Sequence, residues 1–263
     1  MSALLMSMLS SLVVVGSVLL VLWGLSLHRK DASIIDIFWG PAFAIVAWTT
    51  AMGVTTLSAR GVLVTVMASL WGLRLGAYLG WRNHGKAEDY RYQAMRRTYG
   101  SRFTMISLPL VFGVQGALIL VISLPVQVAI NASGPSLTVL DAIGLAVWAV
   151  GLCFESLGDW QLAAFKADPR NRGRVMNKGL WRYTRHPNYF GDFMVWWGFF
   201  LMAVSTPWGL LTALGPAVMT FMLLRVSGVA LLERTISERR PDYADYIART
   251  SPFFPMPPRP ARR

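Results

Sequence analysis

Residues 3–27, ALLMSMLSSLVVVGSVLLVLWGLSL, run without a single charged side chain. Wound as a helix at about 1.5 Å per residue, such a run is long enough to cross a hydrocarbon core of about 30 Å. Comparable apolar windows recur at 34–57, 61–81, 104–130, 137–165, 189–206 and 207–232. Backbone amides in lipid have to pair within their own segment, and the windows lack the short alternating pattern of barrel strands, so they read as helices. The sequence thus predicts an all-α integral membrane protein with seven transmembrane helices, residues 1–263 forming one seven-helix domain. Composition agrees: 54% hydrophobic and 14% charged residues, with a mean hydropathy of +0.46, fit a soluble globule poorly. Gly40-Pro41, Pro109, Pro125 and Gly215-Pro216 read as kinks inside spans. The first window has no basic leader and is long for a signal peptide, so it reads as a true span.

Charge supports the same arrangement independently. With the N-terminus outside, segments 28–33, 82–103, 166–188 and 233–263 share one side, and they hold 2, 6, 7 and 7 of the Lys and Arg residues, 22 of the 25. The opposite loops carry only Arg60. Cationic loops stay in the cytosol, so this bias predicts an outside N-terminus and a cytosolic C-terminus; in a bacterium the protein would sit in the inner (cytoplasmic) membrane, multi-pass. The net charge of +12 is then a matter of topology and of contact with anionic membrane lipid, and calls for no nucleic acid. Trp23, Trp48 and Trp81, near span ends, read as interfacial anchors.

Several chemistries are excluded at this stage. Cys153 is the only cysteine, and His28, His84 and His186 are scattered with no paired spacing, so no metal site is expected.

Polar residues inside the windows need another explanation. Asp36, Arg74, Glu155, Asp159, Asp192 and Arg225 all fall in apolar windows, where an unpaired charge costs a few kcal/mol or more. Alternating helix directions place all six in the cytosolic half, which suggests a large polar ligand entering from the cytosol; helix-end charges reaching back to the interface are the plainer reading. Glu155 and Asp159 are four apart, as are Asn188 and Asp192, so each pair shares a helix face. Between them runs KADPRNRGRVMNKGLWRYTRHP, 166–187, whose Lys166, Arg170, Arg172, Arg174, Lys178, Arg182 and Arg185 suit phosphates, with Gly173 and Gly179 allowing close backbone approach.

Residues 179–192, GLWRYTRHPNYFGD, with Trp196 one turn on, resemble the C-terminal signature of the steroid 5α-reductase family, and the RHPNYFGD string is similar to that of sterol reductases of the lamin B receptor kind. The stretch ERTISERRPDYADYIARTSPFFP at 233–255 also resembles the end of both groups, and the likeness covers roughly 141–255. The resemblance implies a membrane reductase that binds NADPH in the cytosolic half of seven helices and reduces the enone of a 3-oxo-Δ4 steroid or similar apolar molecule drawn from the bilayer. No protein partner is implied. By the same match Asn188 and Asp192 hold the nicotinamide and ribose region. Asp159 contacts the cofactor, Lys166 lies near its phosphates, and Arg74 matches an arginine of the third span. Tyr183, Arg185, His186, Trp196, Arg225 and Glu233 complete the implied cofactor set with Glu155, Arg170 and Arg174. Two departures stand out: Glu155 replaces an Asn, and the Glu and Tyr that polarise the steroid ketone align with Trp39 and Trp71.

The reaction itself needs a donor near the carbonyl oxygen, where charge builds as hydride reaches the β carbon. Asp36, one turn before Trp39, serves if it is kept protonated or if it orients a tyrosine or water; alternatively it simply pairs with Arg74. Tyr78, two turns beyond Trp71, is the second catalytic candidate. In the segment AEDYRY, 87–92, Asp89 or Tyr92 would meet the adenosine half of the cofactor while Arg82 and Arg91 take phosphates; a solvated juxtamembrane loop is the plainer alternative. A membrane methyltransferase of the isoprenylcysteine kind, using S-adenosylmethionine, carries a similar RHPxYxG string. Asn188, Asp192 and the lone Glu233 favour the reductase. A transporter would leave an inverted repeat, and none is visible.

Overall fold

The computed structural model describes residues 3–134, 137–226 and 243–260, and within them it is helical throughout, with no strands and one isolated bridge between Thr184 and Ser251. Six helical stretches among the described residues are long and apolar enough to cross a membrane: Ala3–Arg29, Ile34–Met52, Ala59–Asn83, Tyr90–Ile122, Val139–Ala167 and Gly209–Val226. The expected window at 189–206 is a helix over Pro187–Ala203, but its 17 residues fall short of that length. By contacts the chain divides into two compact units, Met1–Thr138 with Ala203–Gly215, and Val139–Met202 with Pro216–Arg263.

The first unit opens with α1 (Ala3–Arg29), which buries Ser7, Ser11, Val15, Leu19 and Ser26 along one stripe. Val13 and Val21, off that stripe, remain 65% and 71% exposed, as suits a lipid-facing surface. Next come α2 (Ile34–Met52) and α3 (Ala59–Asn83), the latter capped by Ser58 accepting from the Gly61 amide at 3.1 Å. These two pack closely because glycines meet where they cross: a methyl group on Gly40 would stand 2.5 Å from the Gly72 carbonyl oxygen, and one on Gly76 would stand 2.6 Å from Pro41. Small residues at four-residue spacing permit such approach in lipid, where dispersion has to hold helices together.

The prolines act differently from one another. Pro41 lies inside α2, as expected of a kink residue. After α4 (Tyr90–Tyr99) and α5 (Phe103–Ser107), Pro109 stands in a π-helical stretch, Leu108–Gly113, that leads into α6 (Val114–Ile122). A wider turn lets the helix continue although proline donates no amide hydrogen bond. Pro125, expected as a kink, instead sits in the first turn of a separate helix, α7 (Leu124–Asn131), because a missing N–H costs nothing there.

In the second unit, α8 (Val139–Ala167) and α9 (Pro187–Ala203) share a glycine seam with a seven-residue period. Gly144, Gly151 and Gly158 on α8 meet Gly198, Gly191 and Asn188 on α9. A methyl group on Gly191 would stand 2.5 Å from the Glu155 amide nitrogen, so the backbones touch. Then follow α10 (Leu214–Phe221), the π-helical stretch Met222–Val226 and a short helix, Tyr243–Arg249.

Candidate functional site

In the second unit the glycine seam brings together the two i,i+4 pairs found in the sequence. Glu155 and Asp159, each 4% exposed, lie on α8, and the Asn188 amide nitrogen donates to Asp159 Oδ1 at 3.2 Å from α9. Asp192 follows one turn later and is half-buried. A buried face of two carboxylates and an amide offers acceptors to hydroxyls or to a carboxamide.

Beside this face the loop is pinned onto α8. The Trp181 indole nitrogen donates to the Gly158 carbonyl at 3.0 Å, and the Leu180 amide donates to Gln161 Oε1 at 3.0 Å. Gly179 adopts φ +58° against Gln161, a conformation and a closeness that only glycine tolerates. The two stretches that carry the sequence resemblance are also bonded to each other. Thr184 donates to the Phe253 carbonyl at 2.7 Å, the Arg185 amide to the Ser251 carbonyl at 2.9 Å, and Arg185 Nη1 to the Ile247 and Thr250 carbonyls at 3.0 and 2.6 Å. Tyr246 donates to the Trp181 carbonyl, and the Met256 amide to that of Tyr183.

Between loop and tail opens a cavity of about 810 Å³ whose lining includes Arg174, Lys178, Arg182 and Arg249 against one acid, Asp245. Asn171, Asn177 and Phe165 add amides and an aromatic face. This volume is in the range of cofactor sites, and guanidinium forks match phosphate oxygens. The donor set therefore fits a phosphate-bearing cofactor.

The remaining expected residues of this unit take varied places. Lys166 is exposed, and Arg170 is exposed but forks onto Asp168 at 2.9 to 3.1 Å, holding that carboxyl below its usual range through side-chain and then backbone hydrogen bonds. Arg185 and His186 are buried, the former holding the tail and the latter stacked on Tyr189 at 5.3 Å. Trp196 is fully buried against Phe199, Arg225 is exposed in the π-helical stretch, and Tyr183 is 44% exposed. Glu233 lies outside the described residues. Lys178 and Arg182, two of the loop cations expected to suit phosphates, line the cavity, and Arg249, not among the expected ligands, joins them; its signal was the resemblance of 233–255 to the tail that packs on the loop.

The first unit holds a second cluster. The turn before α4 docks on the turn before α2 through two ties, the Ala32 amide donating to Glu88 Oε1 at 2.8 Å and the Asp89 amide to Ser33 Oγ at 2.6 Å, while Arg96 of α4 forks onto Glu88 and holds it in place. AEDYRY is therefore a docked segment and not a solvated loop. Docking carries Arg91 and Tyr92 to Asp36, where Arg91 Nη2 donates to Oδ2 at 2.6 Å and the Tyr92 hydroxyl donates to Oδ1 at 2.8 Å. The alternative pairing of Asp36 with Arg74 is not formed: both carboxylate oxygens are engaged by α4. Arg74 instead lies over the Tyr78 ring at 5.4 Å, and Arg82 over the same ring at 5.7 Å. Asp89 caps α4 and accepts from Arg91 Nε at 2.8 Å. Burial opposes its ionisation, but the Arg91 side-chain and backbone bonds outweigh burial and hold the carboxyl below its ordinary value. Tyr92 is only 5% exposed. Among the described residues no three His, Cys, Asp or Glu side chains gather as a metal would require.

Comparison with known proteins is consistent with this membrane architecture. A fission yeast protein, "Uncharacterized protein C594.04c" of Schizosaccharomyces pombe (strain 972 / ATCC 24843), is 25% identical over 261 residues, covering 89% of this chain and 76% of its own. No solved structure matches. The model of the family described as "Protein of unknown function (DUF1295)" matches residues 22–250, nearly the whole chain, including both polar clusters. The chain therefore belongs to the DUF1295 family, a steroid 5α-reductase-like membrane family.

Proposed function

We propose that the protein is an NADPH-dependent membrane reductase of the steroid 5α-reductase type, acting on the double bond of a 3-oxo-Δ4 steroid or a similar apolar enone. The observation that carries the reading is the Asn188–Asp159 bond at 3.2 Å, set beside Glu155 and Asp192 in the unit that also holds the cationic cavity. A dinucleotide phosphate asks for both features at once: acceptors for its carboxamide and ribose hydroxyls, and several cations for its phosphates.

When bound, the dinucleotide supplies hydride to the β carbon of the enone. Asp159, Asn188 and Asp192 orient its nicotinamide end, while Arg174, Lys178 and Arg182 neutralise phosphate charge. In the first unit Asp36 accepts from the Tyr92 hydroxyl and from Arg91, and its role in this reading is to orient that tyrosine. Tyr78, its ring flanked by Arg74 and Arg82, is the candidate to deliver the proton that ends at the α carbon. The proposed setting is a seven-span protein with α9 as the short sixth span, its N-terminus outside and its C-terminus and cofactor site cytosolic. A 17-residue helix is about 26 Å long, enough to span a locally thinned bilayer.

The test is label transfer. Purified protein given NADPH tritiated at nicotinamide C4 and progesterone should place tritium on steroid carbon 5, whereas product without tritium, or no product from any of several apolar enones, would refute the reading.

A further inference from the structure

We infer that a second cavity, between the turn before α9 and the tail, binds the phosphodiester headgroup of an anionic glycerophospholipid. This cavity, of about 300 Å³, has less than half the volume of the one assigned to the dinucleotide and shares only Arg249 and Thr250 with it. Its lining includes Arg185, Arg249 and Arg259, the hydroxyl residues Thr250 and Ser251, and no acidic side chain. Arg185 is committed to the Ile247 and Thr250 carbonyls, at 3.0 and 2.6 Å, so Arg249 and Arg259, both exposed, are the cations that meet a ligand. The two are tied together: the Arg259 amide donates to the Arg249 carbonyl at 2.9 Å, and Arg249 Nε donates to the Arg259 carbonyl at 3.4 Å. Two guanidinium-bearing residues thus stand side by side at one rim, and Asp245 reaches Arg249 only at 3.5 Å. Guanidiniums so placed match the oxygens of one phosphate.

What surrounds the cavity places it at a bilayer surface. The Phe254 ring lies 6.1 and 5.7 Å from those of Phe190 and Phe193, in the first two turns of α9. With α9 as the short sixth span, the tail packs where this helix enters the bilayer, and Arg185, two residues before α9 begins, stands at headgroup level. Phe254 and Met256 are large and apolar yet 51% and 56% exposed, which suits the boundary between headgroups and acyl chains. Met256 also lines the cavity. Cations beside apolar side chains at this depth suit an anionic lipid, its phosphate on the guanidiniums and its glycerol and first methylenes on the apolar rim. A free phosphate would use the cations alone and gain nothing from that rim. A choline lipid adds an ammonium that the arginines repel.

The inference rests on the proposed topology for α9 as a span, and on neither NADPH nor reduction. Its test is equilibrium retention of radiolabelled dioleoyl phosphatidylglycerol and dioleoyl phosphatidylcholine by the full chain in detergent. The parent protein should prefer phosphatidylglycerol by about 10-fold, and Arg259→Gln should weaken it by roughly 5- to 20-fold while changing phosphatidylcholine by less than about twofold. Arg259→Gln keeps both backbone ties to Arg249; should it fold poorly, Ala248→Glu, which brings an anion to an exposed position of the same lining, should cause the same loss. Arg97→Gln, which removes an exposed cation of α4 outside the cavity, should change neither lipid. Equal retention of the two lipids, a preference that survives Arg259→Gln, or the same loss from Arg97→Gln overturns the inference. A competition arm separates the sources of phosphate: inorganic phosphate or glycerol 1-phosphate that displaces the lipid as well as unlabelled phosphatidylglycerol does would make this a free-anion site and overturn the lipid assignment. If NADPH binds no form of the protein but the lipid preference follows Arg259, the reductase reading fails and this one stands. If NADPH binds normally and neither lipid is preferred, this one fails alone.

Discussion

Asn188 and Asp159 meet at 3.2 Å across the α8–α9 seam, an amide nitrogen donating to a buried carboxylate oxygen. A pair of this kind, with its carboxylate buried, is costly to leave half-made, which fixes its geometry and makes its removal informative.

Asn188→Ala and Asp192→Ala are expected each to weaken NADPH binding or its placement, lowering reduction of a 3-oxo-Δ4 steroid by roughly 10- to 1000-fold, or about 1.4 to 4 kcal/mol. Both variants should remain inserted and monodisperse by size-exclusion chromatography. Parental rates in two well-folded variants would mean that this face is a helix-packing device.

Gly191→Leu should be poorly tolerated, since even a methyl group would come within 2.5 Å of the Glu155 backbone nitrogen. Overpacking of this kind costs about 1 to 3 kcal/mol or more, and a lower thermal midpoint in detergent is the readout. Gly24→Ala, with nothing within 4 Å of the added carbon, is the control and should be nearly neutral. Equal midpoints for the two variants would contradict the seam.

Much of this arrangement was legible in the sequence. The apolar windows located the helices, and four-residue spacing put Glu155 with Asp159 and Asn188 with Asp192, because both patterns are local to one helix. What escaped was set by approach between segments. Gly144, Gly151 and Gly158 recur every seven residues, as do Gly191 and Gly198, yet a glycine period says nothing until a second helix is laid against it. For Asp36 the sequence leaves open a catalytic role or a pairing with Arg74; its partners come from α4, whose docking depends on Glu88 and Ser33, two residues with no intramembrane signature. Pro125 opened a separate helix where a kink was expected, since a proline reads the same in either role.

The Asp89 cap predicts a pH dependence of defined sign. Its folded pKa lies below the ordinary carboxylate value of about 3.9, so its contribution to stability is present above that value and is lost as pH falls through the depressed one. Asp89→Asn keeps a capping side chain but removes the charge. The parent should therefore exceed Asp89→Asn in thermal midpoint at pH 7, and the gap should close toward pH 3; a gap constant across that range would contradict the ion pair.

Topology gives a further expectation. Reporters fused after Arg263 should be active only in the cytosol, and those fused before Ala3 only outside it, as the segments holding 22 of the 25 Lys and Arg residues predict for a seven-span chain. A C-terminal reporter active only outside would reverse the membrane orientation and, with it, the cytosolic cofactor site.

The most direct measurement is retention of radiolabelled dinucleotide by the purified protein in detergent, with NADPH, NADH and S-adenosylmethionine compared side by side. The account predicts saturable retention of NADPH, weaker retention of NADH because the cavity's cations lose a phosphate partner, and none of S-adenosylmethionine. Retention of S-adenosylmethionine with no NADPH bound would contradict it and make the protein a methyltransferase.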